Sequence, residues 1–480
     1  MTLKDRTISG VLWSVGQQFG SKLVSFFITI ILARILKPEE FGLIAMLSVF
    51  ISIGNSLLDS GLTSSLIRTT DANQKDFSTV FYFNLIGSTI LYIILFFCAP
   101  LISSFYDQKI LTSIIRVYSL IFILNALFGI QSTLLVKEMR FKTQTNIQIP
   151  SSFVGGILGV LLAQAGYGVW SLVWMSLFTT FLITIFHWKY SDWRPSWIFD
   201  KKSFNLHFHF GYKMALSGIL DTLYQNIYTL IIGKFYSATQ LGYYSRAESI
   251  SQLPTSNISA AVNKVTYPMF AEISNDNEQL KRVNKKVMQQ VIFWNAPILI
   301  FMCSTAQPLF RFLLTDKWLP AVPYFQILCV AGIMYPLHAY NLNILKVKGR
   351  SDLFLKLEII KKIISVIGIL SVIPFGIYGL LYFQLSFNLI GFYINSIYSG
   401  KLINYSVKEQ IFDVLPTIIL SAIIGISVYF LNYFLVTSFN INDLTRIIMS
   451  ALFYGFTYLS LSNILNLTAI TDFKQLILKK

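Results

Sequence analysis

Apolar residues run through this chain in long blocks, broken by short polar stretches, from about residue 9 to about residue 465. A helix needs roughly 20 apolar residues to cross a ~30 Å hydrocarbon core, and it satisfies its own backbone groups where no water is present. By that measure the blocks predict spans near 9–34, 41–66, 77–103, 112–135, 144–166, 168–190 and 210–236. A second series follows near 241–271, 287–312, 320–343, 356–375, 377–400, 411–436 and 442–465. The expected architecture is an all-α polytopic membrane protein of about 14 transmembrane helices.

Within the blocks the polar residues are ordered. Ser14, Gln18, Ser21, Ser25 and Thr29 step by three or four along span one, which places them on one helical face. Span two carries Ser48, Ser52, Asn55, Asp59 and Thr63, and span eight carries Glu248, Gln252, Thr255, Ser259 and Asn263 at the same register plus 200. Span seven adds Lys213, Ser217, Asp221, Tyr224 and Tyr228. Residues 31–42, ILARILKPEEFG, align without gaps on 231–242, IIGKFYSATQLG, so that Arg34 meets Lys234 and Gly42 meets Gly242. Gly54 and Pro254 coincide too, suggesting a bend in both second helices.

Parallel repeats of this kind build transporters. They predict an N-lobe at 1–190, a cytoplasmic linker at 191–209, a C-lobe at 210–404, and two extra helices with a tail at 405–480. Four polar stripes on corresponding helices converge most simply on one hydrated cavity between the lobes. The competing reading, that the hydroxyls and amides are glue between helices at ~0.6 kcal/mol each, stands for any single residue.

Composition sharpens the class. Of 480 residues 54% are hydrophobic and only 12% charged, about half the charged share of a soluble chain. The 38 basic and 22 acidic residues leave +16, but the excess sits in alternate short loops rather than in a nucleic-acid-binding patch. With the N-terminus inside, roughly two dozen basic residues fall in inner loops, against roughly six outside (Lys37, Lys109, Arg116, Arg311, Lys317, Arg446). This predicts both termini in the cytoplasm and an inner face suited to anionic lipid. Residues 276–290 read as an amphipathic inner-surface helix. The first span holds Gln17, Gln18 and Lys22 and no cleavage site, so it is expected to be retained. Cys98, Cys303 and Cys329 are read as packing residues.

Candidate chemistry is confined to a few charges. Lys22 lies midway along span one, where a charge costs ~2.5 to 3.5 kcal/mol unless solvated or paired. It reads as an anion-binding cation or as a structural partner of Asp59 or Asp221. Arg246 and Glu248 suggest an outer gate, and Lys213 and Lys264 an inner one, with snorkelling as the plainer explanation of each. His207 and His209 are read as solvated or interfacial. No phosphate-binding loop, dinucleotide fingerprint or hydrolase motif occurs, so no cofactor and no enzymatic activity are expected.

The stretch LARILKPEEFGLIAM at 32–46 resembles bacterial polysaccharide-unit flippases of the O-antigen and colanic-acid export type. DSGL at 59–62, GYGVWSLV at 166–173, LGYYSRA at 241–247 and GRSD at 349–352 resemble the same family, covering roughly residues 1 to 400. The resemblance implies membership of the multidrug, oligosaccharidyl-lipid and polysaccharide exporter superfamily, with two bundles rocking about a central cavity. It implies an undecaprenyl-diphosphate-linked oligosaccharide as substrate, flipped across the bacterial inner membrane for lipopolysaccharide, capsule or exopolysaccharide synthesis. Membrane lipids, and polysaccharide polymerase machinery as a further candidate, would be the partners. Cationic cavity residues serve the anionic substrate in that family, a role that Lys22 fits best here, with Arg246 and Lys264 after it. The cavity set is then Gln18, Lys22, Ser25, Ser52, Asn55, Asp59, Asp221, Tyr224, Arg246, Gln252, Thr255, Ser259 and Lys264. A cation-coupled multidrug antiporter is the alternative, kept open by Asp59 and Asp221. A polytopic sugar polymerase is disfavoured by the short outer loops.

Overall fold

The computed structural model describes residues 3–58, 62–69, 71–439 and 441–478. It is built from helices: α1 (Leu3–Ile35), α2 (Pro38–Leu58), α3 (Leu62–Arg68), α4 (Gln74–Tyr106), α5 (Ile110–Tyr118), α6 (Leu120–Lys137), α7 (Phe141–Gln164), α8 (Val169–Tyr190), α9 (Lys201–Gln225) and α10 (Ile227–Phe235). There follow α11 (Ala238–Glu272), α12 (Asn277–Ser304), α13 (Ala306–Leu314), α14 (Val322–Ile333), α15 (Tyr335–Val347), α16 (Ser351–Val372), α17 (Gly376–Ile403), α18 (Val407–Phe439), α19 (Asp443–Ile464) and α20 (Thr468–Leu478). The protein is an all-α polytopic membrane protein. Among the described residues, eleven helical stretches are long and apolar enough to cross a bilayer, and one of them, Ser351–Ile403, contains both α16 and α17. α9, α10 and α11 are not among the eleven; α11 carries the polar stripe of predicted span eight through its middle.

The chain divides into two compact units, Met1–Gly242 and Tyr243–Lys480. In the first, α7 packs between α1 and α8, α6 joins α4 to α8, and α9 lies along α2, α3 and α4. Leu62, Leu66, Phe77, Val80, Phe81 and Ile130 form a core there. In the second, α12 packs on α14 and α18, and α17 on α14, α15 and α16. Phe293, Leu420, Ile424, Val428, Tyr454 and Tyr458 form its core. The Tyr458 hydroxyl donates to the Phe293 carbonyl at 2.8 Å and that of Tyr454 to Ser421 at 3.1 Å, so both buried phenols are satisfied.

Local rules set several boundaries. Asn73 caps α4: its side chain accepts from Lys75 N at 2.9 Å, while Asp76 reaches back to Asn73 N at 2.9 Å. Asp200 accepts from Ser203 N at 2.7 Å and starts α9 well before 210, so half of the predicted linker is helix. The remainder is extended and tied to α4, with Ser196 N donating to Ser78 and Asp200 N to Thr79. Predicted span seven is also interrupted at Asn226, where α9 gives way to α10. The basic segment 276–290 is the first part of α12, capped by Asp276, rather than a separate surface helix.

His207 corrects another expectation. It is fully buried in α9, with Nδ1 2.7 Å from Ser65 Oγ and Nε2 3.6 Å from Asp76 Oδ1. The contact with α3 is a tertiary one that H-x-H spacing cannot reveal. The side chain of His209 lies outside the described residues.

The repeat is visible in the backbone. α2 begins at Pro38 and α11 at Ala238, each with two residues between it and the end of the preceding helix at Ile35 or Phe235. A Cβ on Gly42 would overlap the Ala238 carbonyl, and one on Gly242 the Pro38 carbonyl. Only glycine permits either approach, a small-residue crossing of the kind that membrane helices use.

Candidate functional site

The predicted site residues divide between the two units. Gln18, Lys22, Ser25, Ser52, Asn55, Asp221 and Tyr224 belong to the first, and Arg246, Gln252, Thr255, Ser259 and Lys264 to the second. Asp59 lies outside the described residues.

α1 shows three faces. Gly20 and Ile28 pack on Ile149 and Gly156 of α7, and Gln17 Nε2 donates to Gln148 Oε1 at 2.7 Å along the same seam. Phe19, Leu23, Phe27 and Ile31 form an exposed apolar stripe suited to acyl chains. Gln18, Lys22 and Ser25 form a second exposed stripe, roughly 150° around the helix from the apolar one at 3.6 residues per turn. Two exposed faces of unlike polarity are therefore segregated on this helix, one apolar and one carrying Lys22.

α2 continues the polar surface of this unit. Ser48 and Asn55 are exposed and Ser52 is half-buried. Asn55 opens into a cavity of about 410 Å³ shared with Thr63, Asn84, Ser88, Asn125 and Ser132 of α3, α4 and α6. Ser56 Oγ lies 2.6 Å from Thr222 Oγ1, which docks α9 on α2 and leaves the neighbouring Asp221 exposed and Tyr224 half-buried.

In the second unit the polar face of α11 has mixed duty. Glu248 accepts from the Tyr244 hydroxyl and from Gln252 Nε2, both at 3.2 Å, and Tyr244 also reaches Gln384 of α17 at 3.4 Å. Gln252 and Lys264 are exposed and Arg246 is half-buried. Thr255 and Ser259 are each 5% exposed. A Cβ on Gly332 of α14 would lie 3.5 Å from Thr255 Oγ1. Asn263 accepts from Asn343 of α15 at 3.0 Å. Part of this stripe therefore seals α11 to α14 and α15.

The sequence reading missed the buried polar centre of the second unit. Asn341 donates to Ser396 and Gln410 at 3.1 Å each and accepts from Ser399, linking α15, α17 and α18. Lys361, 9% exposed in α16, pairs with Glu358 at 2.5 Å, and its stem lies with His338 against Gly391 of α17. Charges inside the predicted span 356–375 were the available signal, whereas Asn341 sits in a run with nothing to mark it.

At one end of the second unit Lys281, Lys285 and Lys286 of α12 meet Glu409, Asp413 and Asp472 at 3.1, 2.7 and 3.1 Å. Arg350 likewise pairs with Asp352 at 2.9 Å. Among the described residues no cluster of three or more His, Cys, Asp or Glu side chains is placed to hold a metal ion. The arrangement offers cationic, hydroxyl and amide surface for binding a polar ligand.

A model of the family described as "Polysaccharide biosynthesis protein" matches residues 31–323. The chain is 25% identical to the lipopolysaccharide biosynthesis protein WzxC of Escherichia coli over 89% of each chain. It is 26% identical to the teichuronic acid biosynthesis protein TuaB of Bacillus subtilis, a match that spans 62% of each chain. Among solved structures, the lipid II flippase MurJ in an inward closed conformation superposes with a TM-score of 0.74 at 14% identity, over 95% of this chain and 99% of that one. This last likeness is one of fold.

Proposed function

From the premise that this chain belongs to the polysaccharide biosynthesis protein family, we propose that it is a flippase for undecaprenyl-diphosphate-linked oligosaccharide repeat units. It moves them across the bacterial cytoplasmic membrane for the assembly of a surface polysaccharide. The observation that carries the reading is the exposed stripe of Gln18, Lys22 and Ser25 on α1, turned away from that helix's apolar exposed face. A diphosphate headgroup needs a cation and a hydrated wall inside the bilayer, and the stripe supplies both, while the polyprenyl chain stays in lipid. Asn55, Asp221, Tyr224, Gln252, Arg246 and Lys264 add polar and charged surface for the sugars. In the sequence Asp59 follows Asn55 at helical spacing, and Thr255 and Ser259 lie buried on the same helix as Gln252.

Alternating access between the two repeats provides the movement. The excess of basic residues in alternate loops supports cytoplasmic termini, and the polymerase that consumes the repeat units is the partner this reading gives it at the other face. Deleting the gene should abolish the surface polysaccharide and accumulate lipid-linked repeat units. Persistence of the polysaccharide, or hypersensitivity to cationic drugs in its place, would contradict the proposal.

A further inference from the structure

We propose that the second unit carries a saccharide-binding cleft at the end where α12, α13, α18 and α19 meet, distinct from the stripe on α1. The cleft has a volume of about 460 Å³, and Gln307, Arg311, Tyr429, Asn432, Tyr433 and Arg446 are among its lining. Small-molecule sites of ~300–1,000 Å³ combine apolar walls with a few fixed polar groups.

Two features select the ligand. Arg446 and Asn432 are 5% and 4% exposed, yet Arg446 Nε and Asn432 Oδ1 have no hydrogen-bond partner. Asn432 Nδ2 donates to Val428 O and Ser450 Oγ at 3.0 Å each, which fixes the amide orientation and leaves Oδ1 as the waiting acceptor. Both residues line the cleft, so one unpaired donor and one unpaired acceptor lie buried in its wall, both costly to leave unmade. A phosphate or carboxylate satisfies only the donor and an ammonium only the acceptor, whereas a hydroxyl satisfies either.

Charge agrees. Asp443 accepts from Arg446 Nη1 at 2.9 Å and lies 3.8 Å from Arg311, and Asp316 takes Arg311 Nε at 2.8 Å. Two guanidinium groups are balanced by two carboxylates, which suits a neutral polyhydroxyl ligand. Tyr429 and Tyr433 are 56% and 66% exposed, offering flat faces with a polar edge to the C–H face of a sugar ring. On the proposed flippase reading, on which the role rests, the basic loops place this end outside, so the cleft would hold the glycan as it is delivered.

The test uses full-length protein in lipid nanodiscs and saturation-transfer NMR, with cellotriose, maltotriose and N,N′,N″-triacetylchitotriose as neutral probes and glycerol 1-phosphate as the anion control. At least one oligosaccharide should bind, and Gln307→Ala and Tyr433→Ala, both at exposed positions, should weaken it by about tenfold or more. Absence of oligosaccharide binding, binding unchanged in both variants, or glycerol phosphate binding with the same dependence would overturn the cleft. Flipping of a lipid-linked oligosaccharide in liposomes is scored in parallel. Flipping without saccharide binding removes the cleft alone, and saccharide binding without flipping removes the transport reading alone.

Discussion

Gly42 and Gly242 cross as equivalent halves of a repeat: each would place a Cβ on the carbonyl oxygen of the residue four positions before the other, Ala238 and Pro38. The backbone nitrogen of Gly42 would lie 3.3 Å from that Cβ of Gly242, so the two glycines also face one another. A ligand-binding role needs no such symmetry, whereas two helices related by a repeat produce it directly.

Alanine at either glycine should therefore be poorly tolerated. We expect Gly42→Ala and Gly242→Ala each to destabilise by about 1 to 3 kcal/mol through overpacking against backbone that has no alternative rotamer. Gly455→Ala, where a Cβ would meet nothing within 4 Å, is the control and should be neutral or slightly stabilising. Thermal unfolding in detergent, followed by size-exclusion chromatography, reads the difference.

The buried hub at Asn341 gives a second expectation. Replacing it with alanine removes an acceptor of Ser399 and the donor to Gln410 Oε1, in a site closed to water. The cost should be about 1 to 3 kcal/mol, seen as a lowered unfolding temperature. Ser386→Ala, whose exposed hydroxyl donates to the Tyr382 carbonyl of its own helix, should change it little.

His207 makes stability depend on pH. Burial lowers its pKa, with Lys137 acting in the same direction and Asp76 in the opposite one. The unfolded chain, at about 6.5, therefore takes up a proton before the folded one. Stability from this site is complete above about 6.5 and falls as pH drops through the depressed folded value. The unfolding temperature should decline from pH 7.5 to 5, and His207→Gln should flatten that decline. A parallel decline in the variant would contradict the assignment.

The three lysines of α12 test whether basic residues bind lipid or protein. Lys285→Asp should destabilise the protein, and adding Asp413→Lys should recover part of the loss, with a coupling of about 0.2 to 1 kcal/mol that shrinks in high salt. Zero coupling would leave Lys285 to the lipid surface.

These residues show how far the sequence could be read. The stripe of Gln18, Lys22 and Ser25 is a local periodicity, and that the three share one face of α1 follows from spacing alone. The 200-residue register of Gly42 and Gly242 was equally legible, because a repeat is written twice. Lys281, Lys285 and Lys286 looked like a lipid-facing patch because their partners Glu409, Asp413 and Asp472 lie more than a hundred residues away. Thr255 and Ser259 share the spacing of Gln252, but spacing along one helix does not say whether a neighbouring helix covers the face. His207 and Asn341 depend wholly on tertiary contacts with α3, α17 and α18.

The most direct test of the flippase reading is the rate at which purified protein in liposomes moves a fluorescent lipid-linked oligosaccharide, measured for wild type, Lys22→Arg and Lys22→Ala. Wild type and Lys22→Arg should flip the lipid, and Lys22→Ala should lose at least about tenfold in rate while remaining folded, since one charge contact inside a membrane is worth more than ~1.4 kcal/mol. Full-rate flipping by Lys22→Ala would remove the α1 stripe from the mechanism, and transport of a cationic dye without lipid flipping by wild type would contradict the function itself.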